Sequence, residues 1–226
     1  MKETLENNQS TKAFVYEKLK KKILNGEMYP GKAIVEKKLS QELKVSRTPL
    51  REALSVLEQE GLVIKLINGR MKVASISRKE VKELFTVRKK LEGIIVEEAI
   101  EHVTSNDIKE LATYIEGLKS SFKQNNIESV LMYGDLFHSA IYEISQNKIA
   151  YQILKQVNDK IKRYRNIIPM QSNDNSLKEH ELILNSIRRK DKLKAQELIE
   201  SHIHSSLQIA MEAIEQYDKD SSMEGE

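Results

Sequence analysis

From Thr11 onward the apolar positions Phe14, Val15, Leu19, Ile23 and Leu24 return at the spacing of one helix face, which predicts a helix ending at Asn25-Gly26. After the loop Glu27-Met28-Tyr29-Pro30-Gly31, a short helix is expected over about 35–43. A third should start at Ser46, a good N-cap, and run to about Glu60, with Pro49 in the first turn where a missing N–H leaves no bond unmade. Residues 62–66 form an apolar run, Asn68-Gly69 is a two-residue hairpin signal, and 71–74 supply the returning strand. Three helices and a hairpin make a winged helix-turn-helix. Ser77 with Glu80 has the spacing of a capping box, and beyond it the pattern is helical throughout, with helices expected over 77–102, 105–124, 127–145, 148–167, 175–189 and 191–217.

The fold class predicted is therefore mainly α: an N-terminal winged helix-turn-helix followed by an all-α bundle of about six helices. Four segments are expected: a flexible N-terminus at 1–11, a winged helix-turn-helix domain at 12–76, an all-helical domain at 77–217, and a disordered tail at 218–226.

Charge supports a division of labour. Residues 1–76 hold 15 Lys and Arg against 9 Asp and Glu, whereas the remainder holds 22 against 25. The basic excess lies in the smaller part, as it would in a module that neutralises phosphates, although a solvated lysine-rich surface fits the same count. Cysteine is absent, so a disulfide framework and a thiolate metal site are excluded. The first thirty residues carry charges throughout, with no apolar run of signal-peptide length. No later segment approaches the roughly 18 uninterrupted apolar residues of a membrane span, so a cytoplasmic protein is expected.

Two groups of residues carry chemistry. In the third helix Arg47, Thr48 and Arg51 fall on the exposed first turns, while Leu50, Leu54 and Leu57 form a buried stripe. Arginines there can donate two hydrogen bonds to O6 and N7 of guanine in a major groove, and Asn68, Gly69 and Arg70 at the hairpin can reach the adjoining minor groove or backbone. On charge alone, an exposed helix whose arginines pair with Glu52 or Glu58 fits as well. In the second part His138, His180 and His202 lie on three different amphipathic helices, from which one cavity can gather them around a divalent ion. Histidines packed in a core fit the same spacing.

The run Val35-Glu36-Lys37-Lys38-Leu39-Ser40 through Ser46-Arg47-Thr48-Pro49-Leu50-Arg51-Glu52-Ala53-Leu54 to Glu60-Gly61-Leu62-Val63 resembles the DNA-binding domain of the GntR family. The resemblance covers about 12–76 and implies base and phosphate contacts at Lys37, Arg47, Thr48 and Arg51, with wing contacts near Gly69 and Arg70. Relatives often carry Asn-Arg-Gly at the wing tip, where this chain has Asn68-Gly69-Arg70.

Residues 77–217 resemble the FCD-type ligand-binding domain of the FadR subfamily. The motifs are Glu83-Leu84-Phe85-Thr86-Val87-Arg88-Lys89-Lys90-Leu91-Glu92, Asp135-Leu136-Phe137-His138, Glu179-His180 leading to Ile187-Arg188-Arg189-Lys190-Asp191, and Ala195 to His202-Ile203. This resemblance implies a divalent metal (zinc, nickel or manganese) held by an aspartate and His138, His180 and His202. The family's aspartate stands four residues before the first histidine, where this chain has Gly134, and Asp135 is the candidate in its place. It also implies a small carboxylate effector beside the metal, contacted by Arg88, for which an i,i+4 pair with Glu92 is the plainer role. Arg163 and Arg165 are weaker effector candidates.

The function these residues point to is a homodimeric repressor that binds double-stranded operator DNA under control of that effector. A metal-dependent hydrolase would need a positioned general base beyond the ligands, and the chain has no His-Glu-x-x-His, Gly-x-Ser-x-Gly or phosphate-binding Gly-rich loop, so no enzyme activity is expected. An architectural DNA-binding protein without effector is the other alternative.

Overall fold

The computed structural model describes residues 2–168 and 174–223. Among them, in chain order, are α1 (Lys2–Leu24), β1 (Ala33–Ile34), α2 (Glu36–Leu43), α3 (Arg47–Gln59), β2 (Val63–Lys65), β3 (Met71–Val73), α4 (Arg78–His102), α5 (Ser105–Lys123), α6 (Ile127–Ile144), α7 (Lys148–Ile167), α8 (Asp174–Arg188) and α9 (Lys192–Met223). Contacts divide the chain into two units. The first is the chain through Ser77 together with Asp159–Ile167, and the second is Arg78–Asn158 with the remainder from Ile168.

In the first unit Val15, Leu19 and Ile23 of α1 and Leu50, Leu54 and Leu57 of α3 are fully buried in one apolar cluster. Both triplets follow the helical spacing read from the sequence, so the two stripes face one another across the core. The sheet has the order β1-β3-β2, all antiparallel, with Val63 opposite Val73 and Ala33 opposite Lys72. β1 has two residues, too short to show any alternation, and so was not predicted. The hairpin also differs from expectation. A two-residue type I′ loop needs positive φ at both central residues, and here Gly69 alone has it (φ 76°), with its N–H on the carbonyl of Leu66. The loop therefore has three residues, Ile67-Asn68-Gly69, and the Asn68 side chain accepts from the Arg70 N–H at 3.0 Å. The C-terminal turns of α7 belong to this unit: Lys20 bridges Glu60 and Asp159 at 3.2 and 2.9 Å, Asn166 donates to the Leu24 carbonyl, and Arg163 donates to the Ala74 carbonyl.

In the second unit α4 packs along α9 and α5 along α6. Ile95, Leu111, Phe137, Ile141, Ile183 and Ile199 lie at the centre of its core. Helix starts are fixed locally. Thr104 and Asp107 form a reciprocal capping box for α5, and the Asn126 side chain accepts from the Ser129 N–H to cap α6.

The helices expected at 77–102, 105–124, 127–145, 148–167 and 175–189 are present with ends shifted by at most one residue. The chain ends are more helical than expected: α1 begins at Lys2 rather than near Thr11, and α9 continues past Tyr217 to Met223. Neither extension contains glycine or proline, so nothing local stops a helix that is already nucleated. Among the described residues, no helix is long and apolar enough to cross a membrane.

Candidate functional site

Two sites emerge, one in each unit. On the first, Ser46 occupies the N-cap position of α3 with extended backbone (φ −70°, ψ 164°), and its side chain makes no cap hydrogen bond. Arg47, Thr48 and Arg51 are exposed on the first turns, and Lys37 is exposed on α2. Because Leu50, Leu54 and Leu57 are locked in the core, the rotation of α3 is set and these side chains must face outward. Arg51 is paired neither with Glu52 nor with Glu58. Its Nε donates to Glu36 of α2 at 2.7 Å, which leaves the two terminal nitrogens of the fork available for a planar acceptor. The wing residues Gly69 and Arg70 are exposed, as is Ile67 at its tip.

On the second unit, His138 of α6, His180 of α8 and His202 of α9 converge. Each offers a nitrogen, and the three nitrogens lie within 4.8 Å of one another. All three rings are buried. Their Nδ1 atoms face outward onto oxygens: His138 onto Glu92 at 2.6 Å, His202 onto Glu179 at 2.7 Å, and His180 onto the Ser176 carbonyl at 2.6 Å. An Nδ1 beside such an acceptor carries the proton, so each Nε2 presents its lone pair to the common centre. The Nε2 atoms of His138 and His202 stand 3.2 Å apart, and the buried Nε2 of His180 has no hydrogen-bond partner. Lone pairs facing one another at that distance call for a cation between them. Two imidazoles on one tetrahedral ion, each at about 2.0–2.1 Å, put their nitrogens about 3.3 Å apart, so the donor set fits a divalent metal of the zinc type.

Electrostatics keep these ligands in the state a metal needs. Burial, reinforced by the other two histidines, pushes His180 well below the usual histidine range. Burial also lowers His202, against the pull of Glu179. Behind His138 is a buried ion pair in which Arg88 Nε donates to Glu92 at 2.5 Å and the Tyr142 hydroxyl donates to the same carboxylate at 2.5 Å. Burial alone would raise Glu92, but Arg88 and His138 hold it well below the ordinary carboxylate range. Asn158 donates to the Tyr142 oxygen at 3.3 Å and completes the chain of bonds.

The structure brings the three predicted histidines together but does not bring Asp135 with them. Its carboxylate is not among the clustered donor atoms, although its charge is felt by Arg88. At about 100° per residue the positions four and three before His138 lie to opposite sides of it, about 40° and 60° away, and the packing of α6 brings the former, not the latter, beside His180. The facing position is Gly134, where an added Cβ would stand 3.8 Å from His180 Nε2. Arg88 is buried in the ion pair with Glu92 that the i,i+4 spacing offered. Arg163 and Arg165 belong to the first unit. The supporting acids were not foreseen. Glu179 carries no sequence signal beyond adjacency to His180, and Glu92 was read only as a partner for Arg88.

Residues 11–73 match the profile of the bacterial regulatory proteins of the gntR family, and residues 83–205 match the FCD domain. The HTH-type transcriptional regulator YdhC of Bacillus subtilis (strain 168) is 28% identical over 192 residues, 84% of this chain and 86% of its own. The gluconate operon transcriptional repressor of the same organism is 27% identical over 190 residues, 81% of this chain and 78% of its own. Among solved structures, E. coli McbR/YncC superposes with a TM-score of 0.74 at 23% identity, over 92% of this chain and 98% of that one. This last likeness is one of fold.

Proposed function

The chain belongs to the gntR family of bacterial regulatory proteins and carries an FCD domain, and on that premise we propose that it is a homodimeric repressor, of the FadR subfamily, released from its operator by a small carboxylate. It is a transcriptional regulator and not an enzyme. The observation that carries the reading is the division of α3, with Leu50, Leu54 and Leu57 sealed in the core and Arg47, Thr48 and Arg51 turned to solvent.

Two copies place α3 in successive major grooves of a palindrome, because one helix reads only a few base pairs and twofold pairing multiplies the discrimination. Arg47 and Arg51 read guanine edges, Thr48 and Lys37 hold phosphates, and Gly69 and Arg70 bring the wing against the neighbouring groove. His138, His180 and His202 would hold a divalent ion (zinc, nickel or manganese), which supplies a Lewis-acidic point for a carboxylate oxygen. Arg88, kept cationic by Glu92, adds a second attraction for the anion. The effector acts through unequal affinity for the DNA-competent and incompetent states. The cytoplasm is where such a protein meets its operator. The gluconate relative, a repressor by name, supports the sign of control.

Selection of bound fragments from random duplexes, followed by titration at several salt concentrations, tests the reading. A palindromic preference whose affinity falls steeply with salt is expected, and binding without sequence preference would overturn it. An architectural protein without effector would bind DNA equally with chelator or candidate acids present.

A further inference from the structure

Ile67, at the tip of the wing, is the most exposed large apolar side chain among the described residues. The loop that presents it is closed tightly. The Leu66 N–H donates to the Arg70 carbonyl at 2.7 Å, the Gly69 N–H donates to the Leu66 carbonyl at 2.8 Å, and Gly69 takes the positive φ (76°) that the turn requires. Asn68, the one polar side chain of the loop, is tied back onto the Arg70 N–H at 3.0 Å. The group the tip holds outward is therefore aliphatic, and the cations Lys65 and Arg70 stand exposed on either side of it along the chain. A lone apolar residue on a surface is ordinary. One held at a rigid tip between cations contributes nothing to the fold and is placed to meet an anionic partner.

We infer that Ile67 enters the minor groove beside the major groove read by α3 and makes that flank a determinant of operator choice, favouring A·T over G·C. The inference rests on the placement of α3 in the major groove and goes beyond it, because it assigns specificity to base pairs that α3 does not reach. The groove next to an occupied major groove is the minor one, about 6 Å wide, which a side chain enters and a helix does not. Lys65 and Arg70 match the phosphates along its edges. An aliphatic group neither donates nor accepts, so it reads the groove by exclusion. Both kinds of base pair show acceptors there, but G·C adds the N2 amino group of guanine. Seating Ile67 over that donor strips its water and supplies no acceptor in return, which costs about tenfold in affinity at each half-site.

The operator selected from random duplexes is rebuilt with the base pairs flanking each α3 contact as A·T, G·C or inosine·C, and the full-length protein is titrated against each at several salt concentrations. Inosine lacks the N2 amino group, so inosine·C shows this groove the donor-free edge of A·T. The wild type should bind the A·T and inosine·C flanks alike and the G·C flank about tenfold more weakly. Ile67→Ala should bind all three equally, and Ile67→Gln, whose amide oxygen can accept from the guanine amino group, should recover the G·C flank. Arg70→Ala should weaken all three in proportion and lower the salt dependence by about one ion, with the flank preference kept. Equal binding of G·C and inosine·C by the wild type would overturn the role of Ile67. So would a preference that survives Ile67→Ala, since groove width and not the side chain would then be its source. Both results leave the reading of α3 in place, whereas a protein that selects no operator overturns that reading as well.

Discussion

Arg51 and Arg88 each donate through Nε to a glutamate, Arg51 to Glu36 at 2.7 Å and Arg88 to Glu92 at 2.5 Å, in opposite surroundings. The Arg51 side chain is 64% exposed and its partner sits on a different helix, whereas Arg88 and Glu92 are 8% and 0% exposed on one helix. Water competes for the first pair at every moment. Opening it costs little, so its guanidinium can be handed to a guanine. The second pair has no water to fall back on. Its carboxylate also carries His138 and Tyr142, so it acts as a frame for the histidine centre. Under the proposed function the first kind of charge would exchange partners where DNA is read, and the second would stay fixed beside the ligand.

The contrast is sharpest for Glu92→Ala. Stranding Arg88 without its buried partner should destabilise the protein by about 3–5 kcal/mol in urea unfolding. A loss below about 1 kcal/mol would put this pair in the same class as the exposed one. Next in size, Arg51→Ala should lower discrimination between the selected operator and a variant with the contacted guanine replaced by about 1–3 kcal/mol, measured by competition at fixed salt. Stability should change by no more than about 1 kcal/mol, the scale of an exposed ion pair, and a larger loss would mean that Arg51 is structural.

A graded effect is expected with pH in protein stripped of metal. Burial keeps His180 and His202 from taking protons in the folded state, while in the unfolded chain a histidine titrates near about 6.5. The unfolded state therefore binds more protons as pH falls through that value, so stability is full above about 6.5 and declines below it. A midpoint flat from neutral pH down to about 5 would contradict the buried, neutral assignment of these rings. Smallest of all, Glu36→Gln should change stability by no more than about 1 kcal/mol, a difference that shrinks with added salt.

Much of this was legible along the chain. Leu50, Leu54 and Leu57 at helical spacing, with Ser46 before them and Pro49 in the first turn, specify both the start of α3 and its rotation, and the rotation decides that Arg47 and Arg51 face outward. The six helices of the second part follow from apolar periodicity and polar breaks for the same local reason. The centre was legible only as a set of residue types. That His138, His180 and His202 stand on three helices is written in the sequence, but nothing in their spacing says that α6, α8 and α9 aim them at one point. Asp135 was nominated by its neighbourhood to His138, and the phase of α6 turned Gly134 to that point instead.

The sequence by itself determined the elements, their amphipathic faces and the division between a basic part and a neutral-to-acidic one, because these depend on interactions within a few residues or on composition. Only the tertiary structure decided which oxygen holds each imidazole, which arginine is buried, and that Gly134 rather than Asp135 borders the histidine centre. Those outcomes depend on packing between residues 46 and 64 positions apart, such as His138 of α6 with Glu92 of α4 and with His202 of α9, and such encounters leave no periodic trace in the chain.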